Sequence, residues 1–229
     1  MDRIYSDRFV VGGRPAKDDL FDLSRQNPNL AVKTILSPFF CQVQRDAICS
    51  GMDRIVFIGD SDIAFWPQDL LPNVDAGKSS TQNSPPIVTV KGYSGATLSE
   101  VAHLLRDFFD ELAVSVKDKS ETIVVVACAG ENDIANDLPL DTSLMSLKLF
   151  LEILFGNDEI DHPTITKLVF LGPKFEPWLE DDPSYKKKYS KMSRSFQRCL
   201  TSHPESARID YVDCLTMFCG ETAGLPGAT

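Results

Sequence analysis

The sequence predicts an α/β domain in which a parallel β-sheet is covered by helices on both faces. From residue 54 onward, short apolar runs typical of buried strands alternate with amphipathic segments of helical period. The run Thr122–Ala127 is almost wholly apolar, as expected for a strand buried on both faces. The predicted strands are Ile55–Ile58, Ile87–Val90, Thr122–Ala127, Lys167–Leu171 and Arg208–Val212.

Three helices are predicted between these strands, each with a recognisable start. Thr97 and Glu100 form a capping box before a helix, and Asp141 is placed to cap the next one. Asp182-Pro183 is a typical start for the third. The apolar stripes of these helices are Leu98, Val101, Leu105, Phe108 and Leu112; Leu144, Leu147, Phe150, Leu151 and Leu154; and Tyr185, Tyr189, Met192, Phe196 and Leu200.

Composition excludes several classes of function. A formal net charge of -10 over 229 residues argues against a nucleic-acid partner, since phosphate binding needs clustered cations. No apolar run is long enough for a transmembrane segment, and the first residues do not resemble a signal peptide, so a cytoplasmic protein is expected. The six cysteines show no metal-binding or redox spacing and are expected to be reduced. No nucleotide-binding glycine motif is present, and no cofactor or metal is expected.

Two parts of the chain differ in how much the sequence says about them. Residues 1–50 carry no interpretable chemistry and are expected to form an N-terminal extension. Residues 51–229 contain the alternating pattern and form the predicted main domain, with a polar loop over Ala76–Pro86.

Three consecutive strands end in glycine-containing turns that carry polar residues. These turns are Gly59-Asp60-Ser61, then Gly92-Tyr93-Ser94-Gly95, then Gly130-Glu131-Asn132-Asp133. Taken singly, each is equally well explained as a glycine corner or a helix cap. Parallel strands, however, bring all three turns to one edge of the sheet. A hydroxyl, a glycine amide and a carboxamide at one place are what acyl transfer needs, namely a nucleophile and donors for the developing oxyanion.

These turns resemble the conserved blocks of the SGNH hydrolase superfamily, also called GDSL-like lipases and esterases. Gly59-Asp60-Ser61 is similar to block I, Gly95 to block II and Gly130-Glu131-Asn132-Asp133 to block III. The resemblance extends over roughly residues 53 to 219, and further similarities are Ile63, Trp66, Ile134-Ala135, Pro173-Lys174 and Trp178. It implies a three-layer α/β/α sandwich with a five-stranded parallel sheet of flavodoxin-like order.

The resemblance also implies roles for individual residues. Ser61 would be the nucleophile of a serine esterase that forms an acyl-serine intermediate. The oxyanion hole would consist of the backbone amides of Ser61 and Gly95 and the side-chain amide of Asn132. Asp60 is interpreted as a turn former and Asp133 as a hydrogen-bonding brace. The implied substrate is a small-molecule, lipid or carbohydrate ester.

The sequence departs from the family at its last block, Asp-x-x-His, which supplies the general base. The three histidines are His103, His162 and His203, and the predicted topology places none of them near Ser61. The expected explanation is a C-terminally incomplete chain that lacks the closing helix. The alternatives are a catalytically dead SGNH-fold module that binds acylated or sugar ligands, and an acyltransferase that passes the acyl group to a hydroxyl other than water.

Overall fold

The computed structural model describes residues 52–65, 86–115, 121–156, 164–174 and 183–219. The predicted N-terminal extension and all of the predicted polar loop except Pro86 lie outside these ranges. The strands within the ranges are β1 (Arg54–Gly59), β2 (Ile87–Gly92), β3 (Thr122–Cys128), β4 (Thr164–Leu171) and β5 (Ile209–Val212). The α-helices are α1 (Ser61–Ala64), α2 (Leu98–Ser115), α3 (Glu131–Ala135), α4 (Leu140–Phe155), α5 (Pro183–Thr201) and α6 (Cys214–Cys219).

The five strands form one parallel sheet in the order β2-β1-β3-β4-β5. This is the flavodoxin-like order, and the predicted fold class is confirmed. Beyond β1 the chain crosses to β2 on one side and then back to β3 on the other. The carboxyl ends of β1 and β3 therefore border the topological switch point, where ligands bind in open α/β sheets.

Alternate residues of the strands contribute to two hydrophobic clusters, one on each face of the sheet. In β1, Val56 and Ile58 belong to the cluster that includes the buried sides of α2, α4 and α5. Ile55 and Phe57 belong to the second cluster, to which α1 and α6 contribute Ile63 and Cys214. The continuous apolar character of β1 and β3 thus follows from burial on both sides.

The helices begin close to where the sequence predicts. Thr97 and Glu100 form the capping box, with the Thr97 amide donating to Glu100 Oε2 over 2.8 Å, and α5 begins at Pro183. The prediction that Asp141 caps α4 was wrong, because Pro139 is the N-cap. Asp141 instead lies in the first turn, where its negative charge interacts favourably with the positive end of the helix dipole.

The predicted helix stripes are buried, with two exceptions. Leu144 and Tyr185 are only half-buried at the margins of their helices. Cys128, Cys199 and Cys214 are free; nothing is described of the other three cysteine side chains. None of the helices that the structure describes is both long and apolar enough to span a lipid bilayer.

The end of β2 packs directly on α1, the helix that begins with Ser61. A methyl group at Gly92 would meet the backbone of Ile63 and Ala64 well inside van der Waals contact. Because the obstructing atoms are backbone atoms, no side-chain rotation could relieve the overlap. Glycine at this position therefore lets β2 and α1 lie against each other.

We expect Gly92→Ala to lower the free energy of unfolding by about 1–3 kcal/mol, since the added methyl forces the backbone of α1 to shift. The measurement is urea unfolding followed by circular dichroism. Ile87→Ala is the control, because Ile87 lies on the same strand with 53% of its surface exposed. Equal stability of Gly92→Ala and the wild type would contradict the close packing of β2 on α1.

Candidate active site

The turn after β1 presents Ser61 at the start of a short helix. Asp60 is the N-cap of α1, and its Oδ1 accepts from the amide of Asp62 over 3.1 Å. This hydrogen bond makes the buried Asp60 a turn former, as the sequence predicted. Ser61 is half-buried and occupies the first helical position, where the backbone amide needs no partner within the helix.

The turn after β2 places Gly95 beside the end of β1. The amide of Tyr93 donates to the carbonyl of Gly59 over 3.0 Å, which joins this turn to β1. The amide of Ala96 donates to the carbonyl of Tyr93 over 3.1 Å, closing a tight turn. Gly95 has φ of 80°, which suits glycine at the third position of a type II turn. The closing hydrogen bond of this turn therefore does not use the amide of Gly95.

The turn after β3 holds the Gly95 segment through two side chains. Asn132 Nδ2 donates to the carbonyl of Ala96 over 3.0 Å. Asp133 Oδ2 accepts from the amide of Leu98, the first residue of α2, over 2.8 Å. Asp133, which follows β3, thus caps α2, which follows β2. This is the hydrogen-bonding brace that the sequence predicted.

Ser61, Gly95 and Asn132 thus follow three neighbouring strands at one edge of the sheet. Gly59 of β1 is paired with Gly92 on one side and with Cys128 on the other, so the strands end level with one another. The structure confirms the shared edge that the sequence predicted. The catalytic roles of the three residues stay predictions.

Asp133 is a buried carboxyl group with a perturbed pKa. Burial raises its pKa above the ordinary value of 3.8, against the opposing effect of the hydrogen bond from the Leu98 amide. Only 1% of its surface is exposed. The brace between α3 and α2 therefore carries a desolvation cost when the carboxyl is ionised.

A buried ionic cluster behind the site was not predicted from the sequence. Lys174 Nζ lies 2.7 Å from Asp62 Oδ2 and 3.0 Å from Glu131 Oε2. The available signal was that all three residues follow predicted strand ends, where parallel strands bring their turns together. Sequence spacing alone did not connect Lys174 to the other two.

Asp60, Asp62 and Cys128 are close enough together to offer ligand atoms to one metal ion. The Asp62 carboxylate already pairs with the Lys174 ammonium, however, and Asp60 accepts from a backbone amide. Burial raises the pKa of the Cys128 thiol well above its ordinary value, with the charge of Asp60 adding to the effect. The described contacts of these three residues are with protein groups, and they hold the turn after β1 against the end of β3.

Neither of the two described histidines is hydrogen-bonded to Ser61, Gly95 or Asn132. His103 is exposed on α2. His203 follows α5 and precedes β5, at the amino ends of the strands, with its ring 5.8 Å from that of Phe155. Both placements agree with the sequence prediction. His162, Trp66 and Trp178 lie outside the described residues.

Comparison with known proteins gives distant structural likenesses only. No family model matches the chain, and no curated protein matches it. A protein from Streptococcus pneumonia named for platelet activating factor is 18% identical, with 81% of this chain and 80% of that chain covered and a TM-score of 0.47.

Two esterases are among the other structures that match. AlinE4, an SGNH-hydrolase family esterase, is 19% identical, with 71% of this chain and 86% of that chain covered and a TM-score of 0.38. The esterase EstA from Pseudoalteromonas sp. is 17% identical, with 70% and 77% covered and a TM-score of 0.45. AlinE4 belongs to the family that the sequence blocks resemble. Likenesses of this size do not assign an activity to this chain.

We expect the effect of Asp133→Asn on stability to depend on pH. The folded-state pKa of Asp133 is raised, so its contribution to stability falls as pH rises above 3.8 and through that raised pKa. Asparagine has no charge to desolvate and keeps an oxygen that accepts from Leu98. Asp133→Asn should therefore become more stable relative to the wild type as pH rises above 3.8, as measured by urea unfolding at a series of pH values.

Glu100→Gln is the control, and its stability relative to the wild type should change with pH in the opposite direction. Hydrogen bonds from Thr97 lower the pKa of Glu100. Its stabilising contribution is therefore present above the unfolded-state pKa and is lost as pH falls through the folded-state pKa. A pH-independent difference between Asp133→Asn and the wild type would contradict the desolvation of Asp133.

Proposed function

We propose that this protein is an SGNH-type serine esterase that hydrolyses carboxylic esters through an acyl-serine intermediate at Ser61. The observation that carries the proposal is the pair of hydrogen bonds from Asn132 to Ala96 and from Leu98 to Asp133. They hold the carboxamide of Asn132 against the segment that contains Gly95. Ser61 follows the neighbouring strand at the same edge.

In the proposed reaction, Ser61 Oγ attacks the carbonyl carbon of the ester and loses its proton to a base. The negative charge that develops on the carbonyl oxygen is stabilised by the amides of Ser61 and Gly95 and by the side chain of Asn132. Collapse of the tetrahedral species expels the alcohol, which takes up a proton. Water then attacks the acyl-serine in the same manner and releases the carboxylic acid.

Several features of the described residues support this chemistry. The amide of Ser61 is at a helix start and that of Gly95 is not used by the closing bond of its turn, so neither amide is needed for local structure. Asn132 has two amide hydrogens, and the bond to Ala96 accounts for one of them. The nearby Cys128 is buried, whereas Ser61 is half-buried, so the Ser61 hydroxyl is the more accessible of the two groups.

One observation favours a second candidate function, a binding module for acylated ligands that lacks hydrolytic activity. Among the residues that the structure describes, no histidine is hydrogen-bonded to Ser61: His103 is exposed on α2, and His203 lies at the amino ends of the strands. A general base must come within hydrogen-bond reach of the proton it removes. The oxyanion donors alone would then bind an ester carbonyl without turning it over efficiently.

Ser61→Ala should lower kcat for a short-chain aryl ester by on the order of 10³-fold or more, because no acyl-serine can form. The measurement is release of the phenol, combined with mass spectrometry of the protein after a serine-directed phosphonate probe. Ser202→Ala is the control, since Ser202 is exposed just beyond the end of α5. The hydrolysis rates of the wild type and of Ser61→Ala should each be measured with and without imidazole, which supplies a diffusible base.

The outcomes separate the two candidates. Hydrolysis that depends on Ser61 without imidazole supports the esterase. Hydrolysis that depends on Ser61 only when imidazole is present supports the module without a base. Equal rates for Ser61→Ala and the wild type in both conditions would exclude Ser61 as the nucleophile.

Asn132→Ala should lower kcat by roughly 10²–10³-fold, the size of effect seen when one oxyanion donor is removed. KM should change much less, because the donor acts mainly on charge that develops in the transition state. Asn136→Ala, an exposed asparagine at the end of α3, is the control. An unchanged kcat for Asn132→Ala would remove its side chain from the oxyanion hole.

A further inference from the structure

Lys174 links the chain neighbours of two of the three proposed catalytic residues, Ser61 and Asn132. It follows β4 and is 8% exposed. Its Nζ lies 2.7 Å from Asp62 Oδ2, and Asp62 directly follows Ser61. The same Nζ lies 3.0 Å from Glu131 Oε2 and 3.2 Å from Glu131 Oε1, and Glu131 directly precedes Asn132. One ammonium group therefore joins the turn of the nucleophile to the turn of the oxyanion donor.

Glu131 is held at a second point by the same residue. The backbone amide of Lys174 donates to Glu131 Oε1 over 2.9 Å. The side chains of Lys174, Asp62 and Glu131 are only 10%, 16% and 5% exposed, so salt screens their interactions much less than those of a surface pair. The loop after β4 is thus fixed to α3 by its main chain and to α1 by its side chain.

Pairing between the strands ends before the catalytic residues, and beyond it β3 contacts the Ser61 turn through the Cys128 thiol, which lies 3.7 Å from Asp62 Oδ2. Pairing of β1 with β3 ends at Gly59 and Cys128, and the amide of Asp60 adds one further bond to the carbonyl of Cys128 over 3.1 Å. Ser61 and Asn132 lie beyond that point, on separate short helices. The Lys174 cluster spans the two helices where the ladder between the strands has ended.

We propose that Lys174 is a positioning residue that fixes the Ser61 turn against the Asn132 turn, an inference that rests on the proposed esterase function. An oxyanion hole assembled from three turns works only if its donors converge on one oxygen atom. A misplacement of about 1 Å is enough to cost on the order of 10²-fold in rate. Lysine suits this task because its ammonium has three donors at the end of a long stem and bonds two carboxylates at once.

The test compares Lys174→Met, which keeps the stem and removes the charge, with the wild type. Hydrogen–deuterium exchange is measured over residues 59–65 and 129–136, together with kcat and KM for an aryl ester. We expect both segments to exchange faster, kcat to fall by about 10²-fold and KM to change little. Lys188→Met is the matched control, since it removes an exposed ion pair to Asp137 and should leave the 59–65 segment unchanged.

A second variant separates positioning from general stability. Lys174→Met removes the ammonium that Asp62 and Glu131 share, so we expect it to weaken the fold. The triple variant Lys174→Met, Asp62→Asn, Glu131→Gln removes all three charges together. If Lys174 positions the turns, the triple variant should recover its unfolding midpoint while both turns still exchange faster and kcat stays low. Recovery of exchange and kcat together with the midpoint would overturn the proposal.

The exchange measurement also separates failure of this inference from failure of the proposed function. If the wild type does not hydrolyse esters but both turns loosen in the triple variant, the function fails and the positioning of the turns stands. If neither turn loosens in either variant, the positioning role is overturned whatever the activity.

Discussion

The arrangement at the carboxyl edge depends on the close pairing of β1 with both of its neighbours. Gly59 is level with Gly92 and with Cys128, so three turns begin at one height along the sheet. A side chain at Gly92 would meet the backbone of α1, and the absence of one lets β2 approach the helix that carries Ser61. This packing brings together the turns that carry Ser61, Gly95 and Asn132, independently of any contact between their side chains.

Polar interactions then decide how the turns are held relative to one another. Asp133 accepts a hydrogen bond from the start of α2, and Asn132 donates one to the carbonyl of Ala96. The turn after β3 therefore holds the turn after β2 in place. Lys174 connects the turn after β3 to the turn after β1 through its ion pairs with Glu131 and Asp62. These contacts place several carboxylates in a buried region, where they disfavour a developing oxyanion, and the Lys174 ammonium offsets part of that charge.

Much of the fold was predictable because its signals are local. Runs of apolar residues predicted the strands. Capping chemistry predicted the capping box at Thr97 and the start of α5. Asp141 was misassigned because an acidic residue serves equally well as a cap or within the first turn, and sequence does not separate the two. The position of Gly130-Glu131-Asn132-Asp133 was predicted, but not that these residues lead into the short helix α3.

By itself, the sequence determined the α/β class, the shared edge of the three turns and the candidate residues Ser61, Gly95 and Asn132. It did so because strand order along the chain and the residues at strand ends are properties of short segments. Only the tertiary structure decided that Asp133 caps a distant helix and that Lys174 bridges Asp62 and Glu131. Those partners are far apart in the chain, and they meet only because the parallel sheet aligns the ends of its strands.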